Sequence, residues 1–331
     1  MRLPFLFVSG RAGARAAHEC GLRHTMSPMD REHVPPAIRV AVMGVDGPAT
    51  QPSPVAVGTA QRGVQRPDPR GRVVCVFSGK GGVGTSVVAA NVATALAVGG
   101  SMVAMVDLNL QYGDLRMLFR LEAHPVSIDS LTHSDGHLDR QAVERAMATS
   151  DAGVRVLLAP SRPDSGDLVT PAVLDGILLH LARAYDYLVI DSPAHLDERV
   201  VGVMEVADDI LLVSSSGLTS VKDTKVTLKL LQSLGVDRDH VALVLNQPRP
   251  RVSLPAEEIE RALRFPVLAS LPFEPRMEAA IDAGRPLVLT EPRGAFSRRV
   301  KVVVAHVGRA AEGGSGRLRR PAALWRLRFG R

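Results

Sequence analysis

The sequence predicts an α/β fold of three layers, in which a mostly parallel, twisted sheet is covered by helices on both faces. Two observations predict this fold: strand-length runs of apolar residues recur along the chain, and segments with helical periodicity separate them. Strands that are apolar throughout are buried on both faces, as in a parallel sheet between two helix layers. A hydrophobic content of 46% is typical of a soluble globular core.

Seven strands and three long helices can be assigned in chain order. The predicted strands are VVCVFS, MVAMVD, VRVLLAP, DYLVID, DILLVS, HVALVLN and PVLASLP. The predicted helices are VVAANVATALAV, PAVLDGILLHLARAY and SVKDTKVTLKLLQSL. Gly99 and Gly100 end the first helix, since glycine favours the backbone conformation of a helix C-terminus.

Composition divides the chain into three parts. Residues 1–70 form a flexible leader rich in Pro and Arg, residues 71–307 form the folded domain, and residues 308–331 form a linker and a basic tail. The net charge is +6, yet the leader carries nine Arg against five acids and residues 314–331 carry six Arg and no acid. The remaining residues 71–313 therefore carry −4, which disfavours a domain surface built for DNA.

Two features of the composition predict a cytoplasmic protein. Only Cys20 and Cys75 are present, and Cys75 lies within an apolar strand, which indicates a buried thiol in a reducing compartment. No stretch approaches the roughly 20 apolar residues of a membrane span, so any membrane contact would be peripheral.

The segment SGKGGVGTS follows the first strand and opens the first helix. Successive glycines let backbone N–H groups converge on phosphate oxygens, and the helix N-terminus adds a positive partial charge. Ser86, which we expect to begin the helix, is placed to offer its hydroxyl to Mg²⁺. The alternative is a tight glycine turn without a ligand. The predicted nucleotide-binding residues of the loop are Gly79, Lys80, Gly81, Gly82, Val83, Gly84, Thr85 and Ser86.

Two aspartates end predicted strands. Asp107 ends MVAMVD, and Asp191 ends DYLVID and is followed by Ser192 and Pro193. An aspartate at the carboxyl end of a buried strand beside a phosphate loop can hold Mg²⁺ or orient a water molecule. The alternatives are an ordinary strand-ending acid for Asp107 and an N-capping turn for the Asp191 segment.

With its early lysine, the loop K-G-G-V-G-x-S resembles the deviant Walker A motif of the MinD/ParA group of P-loop ATPases. The resemblance covers residues 72–307 and implies ATP and Mg²⁺ as cofactors. It also implies a homodimer in which Lys80 reaches the phosphates of the partner's nucleotide. Thr85 stands where this family has a second lysine, which implies weak ATPase activity, because a positive charge near the phosphates is lost.

The resemblance assigns roles to further residues. Residues 103–115 resemble the family's switch I, with Asp107 acting on water and Asn109 in place of a second acid. Asp191 resembles the Walker B aspartate that binds Mg²⁺ together with Ser86, and switch II follows through His195 and Asp197. Asn246 would recognise adenine, and Pro272 with Phe273 would line the base pocket. Lys80, Asp107 and Asp191 are the predicted catalytic residues.

Within the group, three segments are most similar to the CpaE/TadZ branch of pilus assembly and septum positioning. These are LQYGD, LLAPSRPDSGDLVTP and D-S-P-x-H-L-D-E. In that branch the loop lysine is often replaced by a small or hydroxyl residue, as at Thr85. Such proteins usually carry a receiver-like domain ahead of the ATPase, and the leader here is too short and too rich in Pro to be one.

The sequence therefore predicts a dimerising nucleotide switch with slow ATP hydrolysis and a protein partner at a cell pole, septum or secretion machine. One alternative is a scaffold that binds ATP without hydrolysis, since both Thr85 and Asn109 depart from the family pattern. A second is a ParA-type DNA partition protein, with Arg293, Arg298, Arg299 and Lys301 as the DNA-contacting patch. The tail GRLRRPAALWRLRFGR is either a peripheral membrane contact or a solvated segment.

Overall fold

The computed structural model describes residues 71–132, 140–251 and 253–312. The predicted leader and most of the predicted basic tail lie outside the described residues. Eight strands of the described part form one sheet. They are β1 (Arg72–Phe77), β2 (Val103–Asp107), β3 (Met147–Thr149), β4 (Arg155–Leu157), β5 (Tyr187–Asp191), β6 (Asp209–Ser214), β7 (Val241–Asn246) and β8 (Val267–Leu271).

The strand order is β3-β4-β2-β5-β1-β6-β7-β8, which places β1 between β5 and β6. All neighbouring strands are parallel except β3 and β4, which pair antiparallel at one edge. The predicted mostly parallel sheet is therefore confirmed. The strand β3 was not predicted from the sequence, because its three residues are too few to show a strand pattern.

Helices connect the parallel strands. They are α1 (Thr85–Val98), α2 (Leu115–Leu118), α3 (Arg140–Ala146), α4 (Pro171–Ala184), α5 (Glu198–Val206), α6 (Leu218–Ser233), α7 (Ala256–Leu263), α8 (Met277–Asp282), α9 (Leu287–Thr290) and α10 (Ala295–Glu312). Short 3₁₀ segments span Ile128–Leu131, Pro163–Leu168 and Arg238–His240. Two boundaries differ from the prediction: α1 begins at Thr85 instead of Ser86, and α10 continues to Glu312, into the segment predicted as a linker.

The sheet separates two buried apolar clusters. Along β1, Val73, Cys75 and Phe77 belong to one cluster, whereas Val74 and Val76 belong to the other. The first cluster includes residues of α4 to α7, and the second includes residues of α1 and α8 to α10. This alternation is the reason why the strands are apolar throughout, since each face packs against its own helix layer.

The carboxyl ends of the central strands gather the predicted site residues. Asp107 at the end of β2 is the register partner of Asp191 at the end of β5, and β5 pairs with β1, which leads into the glycine loop. Among residues 71–132, 140–251 and 253–312, no helix is long and apolar enough to cross a membrane.

Candidate functional site

The glycine loop joins β1 to α1 and has a fixed backbone. The Ser78 hydroxyl accepts a hydrogen bond from the Lys80 amide (3.0 Å) and donates one to the Lys80 carbonyl oxygen (2.7 Å). Gly82 and Gly84 have φ angles of 76° and 88°, in the left-handed region that glycine adopts at low cost. Val83 is buried in the core between them. The Val83 side chain thus anchors the loop, and only its backbone is available to a ligand.

The outer side of the loop is open. A Cβ atom placed on Gly81 or Gly82 would meet no atom within 4 Å. No side chain caps the N-terminus of α1, and its first turn contains no acidic residue. Unpaired N–H groups and the helix dipole at such an end attract anions. Loop and helix together can therefore accept a phosphate group, and Thr85 and Ser86 lie half-buried at this end.

Asn246, at the end of β7, contacts the backbone of the glycine loop. Its Nδ2 atom donates a hydrogen bond to the Val83 carbonyl oxygen (2.8 Å), and a Cβ on Gly84 would lie 2.4 Å from Nδ2. This contact holds the loop in place, a role that the sequence analysis did not predict. The role in adenine recognition remains a prediction, as does that of Pro272, which lies half-buried directly after β8.

Asp191 is buried beside the loop. Within the described part of the chain, neither of its carboxylate oxygens has a hydrogen bond of normal geometry. Burial raises the pKa of this carboxyl to about 7. The neighbouring Ser86 hydroxyl opposes the rise in pKa, and the negative charge of Asp114 adds to it. A buried carboxylate without partners is costly, so the site is chemically suited to a cation.

Asp107 has its oxygens engaged by its own loop. Oδ1 accepts a hydrogen bond from the Asn109 amide (3.1 Å), and Oδ2 accepts one from the Leu115 amide (3.2 Å). Burial, together with the charge of Asp191, raises the pKa of Asp107 well above its usual value. The Asn109 side chain donates to the Tyr112 carbonyl oxygen (2.8 Å). Both residues therefore shape the 107–115 loop, and the action of Asp107 on water remains a prediction.

Lys80 points to the surface. Its Nζ atom lies 3.9 Å from Asp223 Oδ2 on α6, and 41% of its side chain is exposed. The same helix contacts the loop at Gly79, where a Cβ atom would lie 2.3 Å from Thr227 Oγ1. The lysine is thus accessible to a second molecule, while α6 fixes the start of the loop. Asp223 could not be found from the sequence, because nothing in the helical pattern links it to Lys80, 143 residues earlier.

The residues present fit Mg²⁺ bound together with a phosphate ligand. Among the residues that the structure describes, no group of three or more His, Cys, Asp and Glu side chains could hold a metal. Mg²⁺ commonly binds through one or two carboxylates, with substrate phosphates and water completing the octahedron. The buried Asp191 carboxylate and the Ser86 hydroxyl match that pattern better than they match an all-protein metal site.

The structure brings Ser86, Asp107, Asp191 and the loop glycines together at one edge of the sheet. Asn246 joins them through its contact with Val83. Asp114, to which the sequence analysis gave no role, starts α2 and acts on Asp191 through its charge. The arrangement combines an anion-binding helix N-terminus with a buried unpartnered carboxylate, as a site for a metal-bound nucleotide requires.

The chain is similar to known nucleotide-binding proteins. Residues 74–287 match the model of the CobQ/CobB/MinD/ParA nucleotide binding domain. The septum site-determining protein MinD of Synechocystis sp. is 26% identical over 226 residues, which cover 66% of this chain and 83% of that protein.

Two solved structures have the same fold. The cell division ATPase MinD of Pyrococcus furiosus aligns with a TM-score of 0.64 and 25% identity over 72% of this chain and 99% of that one. The septum site-determining protein MinD of Pyrococcus horikoshii, complexed with Mg-ADP, aligns with a TM-score of 0.64 and 23% identity over 72% and 97%. The chain belongs to the CobQ/CobB/MinD/ParA family of nucleotide-binding proteins, and its fold is that of the MinD/ParA type of P-loop protein.

Proposed function

We propose that this protein is an ATP-dependent switch that dimerises on binding ATP and hydrolyses it slowly. The observation that carries the proposal is Asp191, a buried carboxylate with no hydrogen-bond partner of normal geometry among the described residues, beside Ser86 and an open glycine loop. Such a group is retained at a cost in stability, and a bound cation is the simplest compensation.

In the proposed complex Ser86 and Asp191 hold Mg²⁺, and the backbone amides of Gly81, Gly82, Gly84 and Thr85 bind phosphate. Bound Mg²⁺ neutralises charge on the phosphate oxygens. The MinD protein of P. horikoshii that is complexed with Mg-ADP supports this ligand pair. Asn246 and Pro272 would contact the base, and Asp107 would orient water.

Hydrolysis is proposed to be slow because Thr85 carries no charge. In P-loop NTPases a lysine of the loop cradles the β- and γ-phosphates, and here only backbone amides, Mg²⁺ and Lys80 remain for that task. The same departure, together with Asn109, favours the second candidate, a scaffold that binds ATP without turnover. The CpaE/TadZ branch, with a partner at a pole, septum or pilus machine, remains part of the proposal, as does peripheral membrane contact through the tail.

Turnover separates the two candidates. We would measure Mg-ATP binding and phosphate release for the wild type, Asp191→Ala and Thr85→Lys, with light scattering on the same samples. The switch predicts binding, dimerisation and slow turnover by the wild type, loss of Mg²⁺-dependent binding in Asp191→Ala, and faster turnover in Thr85→Lys. Binding without turnover by the wild type would establish the scaffold, and no binding by a folded wild type would exclude both.

Lys80→Ala tests the dimer. Lys80 is exposed, and its pair with Asp223 at 3.9 Å is long, so its loss should not change the stability of the monomer. We expect ATP-induced dimerisation to disappear while ADP binding by the monomer is kept. Lys222→Ala, which removes another lysine beside Asp223, is the control. An ATP-bound dimer that survives Lys80→Ala would exclude the proposed action of Lys80 on the partner's nucleotide.

A further inference from the structure

The 3₁₀ segment Pro163–Leu168 touches the loop that follows Asp107. Gly166 packs directly on Leu110, and a Cβ atom on Gly166 would lie 3.0 Å from both the Cβ atom and the carbonyl oxygen of Leu110. Both residues are buried. A side chain at position 166 would therefore press on Leu110 and displace it, and a shift of one backbone is transmitted to the other.

Arg199 ties the same segment to the loop that follows Asp191. Its Nη1 atom donates hydrogen bonds to the carbonyl oxygens of Gly166 (3.0 Å) and Val169 (3.4 Å). Its Nε atom donates to Asp197 Oδ2 (2.8 Å). Asp197 in turn caps α5, because its Oδ1 atom accepts a hydrogen bond from the Val200 amide (2.9 Å). One guanidinium thus joins the start of α5 to the backbone that packs on Leu110.

We propose that Arg199 is a positioning residue that couples the two predicted switch loops through Gly166. The Pro163–Leu168 segment then becomes a third element that responds to the nucleotide, since it contacts both loops. This inference rests on the proposed function for its nucleotide dependence, whereas the mechanical link is present without any ligand. A guanidinium suits the task because its donors form a rigid planar fork, which a lysine ammonium does not reproduce.

The test is amide hydrogen exchange of the full chain in Arg199→Lys, without nucleotide and with Mg-ATP. Arg162→Lys is the matched control, because Arg162 lies next to the same segment and its guanidinium pairs with Asp164 at the surface, without a hydrogen bond or ion pair to either loop in the described part of the chain. Lysine at position 199 can keep a charge contact with Asp197 but not the bridge to two carbonyl oxygens. Without nucleotide, we expect exchange at residues 108–113 and 163–169 to rise about tenfold in Arg199→Lys, as for one lost hydrogen bond to a charged group. Arg162→Lys should match the wild type.

With Mg-ATP, the wild type should gain protection in both loops and in residues 163–169, and Arg199→Lys should lose the gain in residues 163–169. If exchange in Arg199→Lys rose only at residues 163–169 and 197–200 and stayed unchanged at residues 108–113, Arg199 would stabilise its own surroundings alone. That result would overturn the coupling. Equal exchange in the two lysine variants would do the same. If the wild type did not bind ATP, the proposed function and the nucleotide dependence would be excluded. The exchange measured without nucleotide would still test whether Arg199 couples the two loops.

Gly166→Ala provides an independent route if Arg199→Lys does not fold. The added methyl group presses on Leu110, so residues 108–113 should exchange faster, and the disturbance should reach residues 197–200 through Arg199. Exchange that changes on the Leu110 side alone would contradict the proposal.

Discussion

Two buried aspartates flank the central strand β1, and their surroundings are opposite. Asp191 on β5 is the register partner of Val76, and Asp209 on β6 is the register partner of Val74. Their exposed fractions are 1% and 2%. Asp209 accepts two hydrogen bonds from Arg72, at 2.5 Å from Nε and 3.0 Å from Nη2, whereas Asp191 has no partner of normal geometry among the described residues.

The difference separates a charge that the fold itself neutralises from one that is left for the proposed ligand. The free-energy cost of burying an ion is offset within the fold when an arginine binds it with two hydrogen bonds, as at Asp209. At Asp191 the fold supplies no such compensation, and the carboxyl takes a raised pKa instead. Within the described part of the chain, the lack of a hydrogen-bond partner of normal geometry distinguishes Asp191 from Asp209, whereas burial alone does not.

The largest effect should follow from breaking the structural pair. Arg72→Met keeps an apolar stem but leaves Asp209 buried without its arginine, with only the more distant His306 Nε2 at 4.0 Å among the described residues, so we expect a loss of about 3–5 kcal/mol in the free energy of unfolding. Urea unfolding measures it. The double variant Arg72→Met with Asp209→Leu should recover most of the loss, because an apolar pair replaces the ionic one. A single variant as stable as the wild type would contradict the assignment of this pair to the structure.

Asp191→Asn should act in the opposite direction and depend on pH. Since the folded pKa of Asp191 is raised to about 7, the native state binds more protons than the unfolded state between about pH 4 and pH 7, and stability falls as the pH rises through this range. Asparagine does not titrate, so the variant does not lose stability in this pH range. Without nucleotide, the variant and the wild type should have equal free energies of unfolding near pH 4. At pH 8 the free energy of unfolding of the variant should be higher by about 2–4 kcal/mol.

Urea unfolding at pH 4, 6 and 8 checks the prediction for Asp191, and Asp209→Asn is the matched control. The control should be destabilising, because it weakens the pair with Arg72. If the two asparagine variants lost stability alike, Asp191 would be a structural charge as well, and the distinction between the two aspartates would fall.

The smallest effect on the free energy of unfolding is expected in the glycine loop, where one glycine is closely packed and another is open to solvent. A Cβ on Gly79 would lie 2.3 Å from Thr227 Oγ1, whereas a Cβ on Gly81 meets nothing within 4 Å. Gly79→Ala should therefore cost about 1–3 kcal/mol in the free energy of unfolding, as overpacked sites do. Gly81→Ala should leave stability unchanged and weaken ATP binding. Thermal unfolding and ATP titration of both variants separate the two roles, and a destabilised Gly81→Ala would contradict the open loop.

Much of the site could be predicted from the sequence because its signals are local. The spacing of Gly81, Gly82 and Gly84 after an apolar strand, and the strand-ending positions of Asp107 and Asp191, are visible in short windows. The contact of Asn246 with Val83 could not be predicted in this way. It joins residues 163 positions apart and depends on which strands become neighbours.

The sequence by itself determined the α/β class, the order of the main strands and helices, and the resemblance to a phosphate-binding family, which the family model bears out over residues 74–287. Periodicity, glycine turns and strand-end acids encode these features within a few residues. Tertiary structure alone decided that Arg72 binds Asp209, that no described residue makes a hydrogen bond of normal geometry to Asp191, and that Arg199 reaches Gly166. The physical reason is that partners of a buried charge come from distant segments, and only the strand order and register bring those segments together.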